Sequence, residues 1–139
     1  MNNEVLVKNS KFVKIVLMIC GAVFILVGFF SLVFPIEFTA RNNANIIGNI
    51  NFLNDYRGVG GLMIGNGLLI LLGFFRPSYT RMSLYVASFT FLAFSFGRII
   101  SVLVDGVPVE NLLKATAIEL ILGFFAVVAL KKYNLVEGN

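Results

Sequence analysis

The stretch that decides the fold is "FGRIISVLVDGVPVENLLKATAIELILGFF", Phe96 to Phe125. Two apolar runs flank a short polar break, Asp105-Gly106 followed by Pro108, which is a turn signal. Followed outward, the first run reaches back to Met82 and the second continues to Leu130. Each run is then about 20 residues, the length a helix needs to cross a bilayer. The stretch therefore reads as a membrane hairpin, and Arg98 and Glu119 stand inside its two arms at membrane depth.

Two further runs of the same kind lie upstream. Phe12–Phe34 stops at Pro35 and Gly58–Phe75 stops just before Pro77, where helices end. The first has a basic leader, but it is too long for a signal-peptide core and lacks a small-residue cleavage site, so it reads as retained. The expected fold is all-α: one integral membrane domain over residues 1–139, a four-helix bundle with spans at 12–34, 58–75, 82–104 and 112–130. Composition agrees. Of the 139 residues 58% are hydrophobic and only 13% charged, against about a quarter charged in soluble domains. Fifteen Phe and a mean hydropathy of +0.91 point the same way.

Charge placement predicts an orientation. Four spans run up-down-up-down and leave both termini on one side. That side collects Lys8, Lys11, Lys14, Arg76, Arg81, Lys131 and Lys132. The other side holds Arg41, Arg57 and Lys114 among Glu37, Asp55, Asp105 and Glu110. The excess of basic residues marks the cytoplasmic face, so both termini are expected there, in a multi-pass protein of the cell membrane. Tyr56, Tyr79, Tyr85 and Tyr133 fall near span ends, as an interfacial aromatic belt requires. The segment 36–56 is expected to be one long outer loop, rich in Asn, lying over the mouth of the bundle or simply solvated.

Several chemistries are excluded. The net charge of +4 has no compact basic patch with interleaved aromatics, so no nucleic-acid partner is expected. There is no His, and Cys20 is the single Cys, which removes the usual metal sets and any internal disulfide. No metal or other cofactor is expected, and Cys20 reads as a small buried hydrophobe. Small residues predict helix contacts: Gly58, Gly61 and Gly65 on span two, Ala93, Gly97 and Ser101 on span three, and Ala115 and Gly123 on span four.

The intramembrane charges are the candidate site. Arg98 lies seven positions before Asp105 and Glu119 seven after Leu112, so each is about 10 Å below the turn at 1.5 Å per residue. On neighbouring antiparallel helices the two can meet. An isolated charge at that depth costs from roughly 3 to above 10 kcal/mol, which favours an ion pair. Asp105 projects from the same face of span three as Arg98, and Ser101 stands between them. Asp55 and Arg57, at the outer end of span two, can join the rim. Asn66, midway along span two, is a second polar group at depth and suits an interhelical hydrogen bond. Plainer readings stay open: Arg98 can snorkel to the headgroups, Arg57 can anchor at the interface, and Asp105 can serve only the Asp-Gly turn.

The set Arg57-Gly58-Val59-Gly60-Gly61, Gly97-Arg98, Asp105-Gly106-Val107-Pro108 and Glu119 resembles a bacterial family of small four-helix membrane proteins catalogued only as a domain of unknown function. More distantly the chain is similar to the DoxX-like four-helix membrane proteins. The resemblance covers most of the chain. It implies the fold, a bacterial inner-membrane location, and that the Arg, Asp and Glu positions belong together; it implies no activity. The small multidrug transporters differ, because they keep a key carboxylate in the first helix and span one here has none.

Three functional classes follow. The first is an outward-facing charged pocket that binds, or helps to transport, a small solute or lipid. Four short spans make a thin transporter, so a homo-oligomer or a membrane partner would complete it. The second is a structural or accessory subunit whose charges fix helix register. The third, ranked last, is a membrane enzyme on a lipid-like substrate with Glu119 as acid/base and Arg57 or Arg98 as anion clamp.

Overall fold

The computed structural model describes residues 11–137, with side chains through Asn134. Lys8 of the basic leader lies outside the described residues. Regular structure among these residues is helical, without strands: α1 is Lys11–Val33, α2 Pro35–Ala40, α3 Ile50–Phe75, α4 Thr80–Asp105 and α5 Glu110–Glu137. A single 3-10 turn, Pro77–Tyr79, joins α3 to α4. Four of the helices are long and apolar enough to cross a membrane.

The prolines set the breaks. Phe34 takes an extended φ of −124° ahead of Pro35, and Arg76 a φ of −125° ahead of Pro77, because a proline ring excludes the helical region for the residue before it. Pro35 then opens α2, where its missing N–H is no loss. The hairpin turn depends on Gly106, whose φ of 99° with ψ of −177° suits a residue without Cβ.

The segment 36–56 is not one loop. Its first part is α2, and its last part is the first two turns of α3, which begins at Ile50 rather than Gly58. The Asn49 side chain accepts a hydrogen bond from the Phe52 backbone N–H at 3.0 Å, an N-cap that starts the helix ahead of the apolar run. Only residues 41–49 are irregular. Span four is also longer than its apolar run and continues to Glu137.

α1 and α3 make the closest pair. Gly28 faces Gly60 and Gly21 faces Gly67, so the helices run antiparallel with backbone against backbone. A Cβ on Gly60 would lie 2.8 Å from the Leu32 nitrogen, and one on Gly28 would lie 2.7 Å from the Gly60 oxygen. The small-residue faces anticipated on spans two and three are therefore different from those in use. Gly58, Gly61, Gly65 and Gly97 face open space, and Ala93 and Ser101 are exposed. Gly123 does pack, against Leu92 of α4.

Hydroxyls tie α4 back to α3. Thr80 Oγ1 donates to the Gly73 carbonyl at 3.1 Å and Ser83 Oγ to the Leu69 carbonyl at 2.6 Å, both side chains being buried. The shared core is apolar: Val13, Leu17, Cys20, Phe24, Ile70, Leu84, Phe91 and Ala126. Phe24 and Phe91 meet edge to face with centroids 4.6 Å apart, the preferred aromatic geometry. Outward faces are equally apolar, with Phe89 exposed by 77% and Leu103 by 80%. Lipid is the solvent for such a surface.

Candidate functional site: a cavity beside an intramembrane ion pair

Near the α4–α5 turn the helices part around a cavity of about 620 Å³. Its inner walls are Val23, Phe24 and Val27 of α1, Met63 of α3, and Phe91 and Phe94 of α4. The polar lining comes from Ser31, Tyr56, Arg98, Asn111 and Glu119, with Arg41 and Asn42 beyond the end of α2. That volume and mix, mostly apolar with a few convergent polar groups, is typical of small-molecule sites.

Arg98 and Glu119 meet in its wall. Arg98 Nε donates to Glu119 Oε2 at 2.9 Å, joining α4 to α5. The pair is half-buried rather than buried, with side-chain exposures of 31% and 16%, because the cavity opens beside it. Beyond Glu119 the guanidinium has no hydrogen-bond partner among the described residues, which leaves four of its five N–H groups available.

Ser31 differs from the other helix hydroxyls. Ser88, Ser95, Thr90 and Thr116 each donate to the carbonyl one turn earlier. Ser31, only 3% exposed and lining the cavity, has no hydrogen-bond partner among the described residues.

The cavity has a roof. α2 folds back over α1, and Phe38 stacks on Phe30 with planes 6° apart. The chain after α2 is held by Asn111, whose Nδ2 donates to the Arg41 carbonyl at 2.9 Å, and by Ile46, which is buried.

The wider charged cluster does not assemble. Asp105 accepts from Ser101 Oγ at 2.9 Å and both are exposed. Asp105 lies seven positions beyond Arg98, about 10 Å along the helix, and Arg98 makes no ion pair with it among the described residues. Asp55 and Arg57 sit exposed on α3 outside the lining, because the early start of α3 makes them helix-surface residues. Asn66 is half-buried, also outside the lining, and has no interhelical hydrogen bond among the described residues. Lys114 pairs with Glu110 at 2.7 Å, one turn away on α5. Among the described residues no group of three or more Cys, Asp or Glu is placed to hold a metal ion.

Ser31, Arg41, Asn42, Tyr56 and Asn111 are among the polar lining residues that the sequence did not place at the site. Arg41 and Asn42 arrive there with α2, for which the Pro35 break followed by the Asn49 cap was the available signal.

Four long apolar helices around a helical core define a multi-pass membrane protein. The chain belongs to a family described as a domain of unknown function (DUF4345), whose family model matches residues 12–130. No curated protein and no solved structure matches the chain.

Proposed function

We propose that this protein binds a small solute or lipid in the cavity beside Arg98 and Glu119, and presents or helps to carry it at the outer face of the bacterial cell membrane. The reading includes an up-down-up-down topology with both termini cytoplasmic, and a distant kinship to DoxX-like proteins. The observation that carries it is the cavity itself: about 620 Å³ of unfilled space with an ion pair in its wall. Orientation is supported by Arg76 and Arg81, which lie at the α3–α4 connection, opposite the α4–α5 turn near which the cavity opens.

Native mass spectrometry of gently extracted protein tests this reading. The unaltered chain is expected to carry a bound small molecule or lipid, and Ala115→Trp, which fills the cavity from α5, is expected to lose it. An adduct that survives the filling, or none on either protein, refutes the reading.

A second reading, an accessory subunit or homo-oligomer, is favoured by one observation. The open glycines Gly58, Gly61 and Gly65 on α3 would let a second helix approach closely.

A further inference from the structure

Resting on that binding reading, we propose that the occupant is an amphiphile with a monoanionic head, held head-up at Arg98 with an apolar chain running towards Phe91.

Three observations converge on this class. The first is charge. Arg41, Arg98 and Glu119 are the charged residues that line the cavity, Arg98 paired with Glu119 and Arg41 exposed at the rim. The excess charge is therefore positive and sits at the mouth, where it draws in an anion and repels a cation, while the carboxylate of the lining is already bonded to Arg98.

The second is unused hydrogen-bonding capacity. The free N–H groups of Arg98 and the partnerless hydroxyl of Ser31 are donors without acceptors among the described residues. A carboxylate or phosphate is rich in acceptors, and hydrogen bonds to an ionised acceptor are short and strong. They gain further where water is scarce. Exposed Arg41 at the rim adds attraction during entry more than it adds grip.

The third is the direction of polarity. Phe94 lies one turn below Arg98 on α4 and Phe91 about two turns below, roughly 10 Å. Val27 and Phe24 descend beside them on α1. The lining thus changes from polar at the level of Arg98 to wholly apolar at the Phe24–Phe91 contact that closes the floor. A polar solute would leave those rings unmatched. A plain hydrocarbon would bury the Ser31 hydroxyl and the remaining Arg98 N–H groups without acceptors, at the cost of stranding polar groups.

The test uses the full chain in phosphatidylcholine nanodiscs and takes advantage of its lack of Trp. Phe94→Trp places one fluorophore in the cavity wall, and Phe89→Trp places one on the lipid-facing surface as control. Three quenchers of equal chain length differ only in the head: ω-bromodecanoate, ω-bromodecanol and (ω-bromodecyl)trimethylammonium. Decanoate is expected to quench Phe94→Trp saturably, beyond the control, with an affinity about tenfold or more above the alcohol, the range for a hydrogen bond to a charged group. The cation is expected to give no saturable quenching.

The double variant Arg98→Gln/Glu119→Gln strands neither charge, so it keeps the fold while the preference for decanoate over decanol collapses. Repeating the titration with phosphatidylglycerol in the disc separates two sources of the same chemistry. Competition assigns the site to anionic bilayer lipid, and no competition assigns it to a free amphiphile. Saturable quenching without preference for the anion overturns the head-group inference and leaves the binding reading standing. No saturable quenching by any of the three overturns both.

Discussion

Gly60 and Gly61 are neighbours in one helix, yet the same substitution should move stability in opposite directions. Gly60→Ala directs a methyl group into α1, 2.8 Å from the Leu32 nitrogen and 2.9 Å from the Gly28 oxygen. Both are backbone atoms and cannot rotate away. Ordinary contact for such atoms begins near 3.5 Å, so the helices must part locally by about half an ångström or more. Overpacking of this kind costs roughly 1–3 kcal/mol. Gly61→Ala meets nothing within 4 Å. Each variant gains the same helix propensity, at most about 1 kcal/mol, so their difference cancels that gain and isolates the packing cost. Gly60→Ala should therefore be less stable than Gly61→Ala by about 1–3 kcal/mol, with Gly61→Ala at or above the parent. Equilibrium unfolding in mixed micelles, followed by circular dichroism, measures both. If Gly60→Ala proves as stable as Gly61→Ala, α1 and α3 do not meet through Gly28 and Gly60, and the register described above is wrong.

The ion pair and the roof give two further expectations. In a cycle of Arg98→Gln, Glu119→Gln and the double variant, each single change should cost about 1–3 kcal/mol by leaving a half-buried charge alone. The double should lose about 1–2 kcal/mol less than their sum; additive losses in thermal or denaturant unfolding would mean the 2.9 Å contact carries no coupling. Asn111→Ala removes the one hydrogen bond between α5 and the chain after α2 among the described residues. Backbone hydrogen exchange at residues 42–48 should then quicken about fivefold, from roughly 1 kcal/mol of lost restraint, and unchanged exchange there would show that the Asn111 bond does not hold the roof.

What could be read from sequence followed from local rules. Pro35, Pro77 and the Asp105-Gly106 turn fix where chains stop, and apolar length fixes what crosses the membrane. Arg98 and Glu119 could be paired by counting residues on either side of one turn. Hydropathy fails at 50–57, where Asn54, Asp55 and Arg57 obscure a helix that begins with the Asn49 cap. The glycine faces were misassigned because sequence gives the spacing of small residues but not which side of the helix meets α1. Gly60 and Gly67, seven apart, fit that contact as well as Gly61 and Gly65 fit a GxxxG. Arg41 reaches the cavity through the fold of α2, and Tyr56 and Asn111 through the packing of α3 and α5 around it, tertiary events that no local pattern encodes.

The glycine contacts of α1 and α3 have a mechanical consequence. Backbone set against backbone has no side chain to yield, so those two helices behave as one stiff plate. α4 and α5, bridged by the ion pair and by Gly123 against Leu92, form a second plate. The plates meet where Thr80 and Ser83 grip α3, where Phe24 meets Phe91 and where Phe12 of α1 meets Phe125 of α5. A change in the width of the cavity would fall on the seam beyond these contacts, and Arg98 and Glu119, both on the second plate, would travel together.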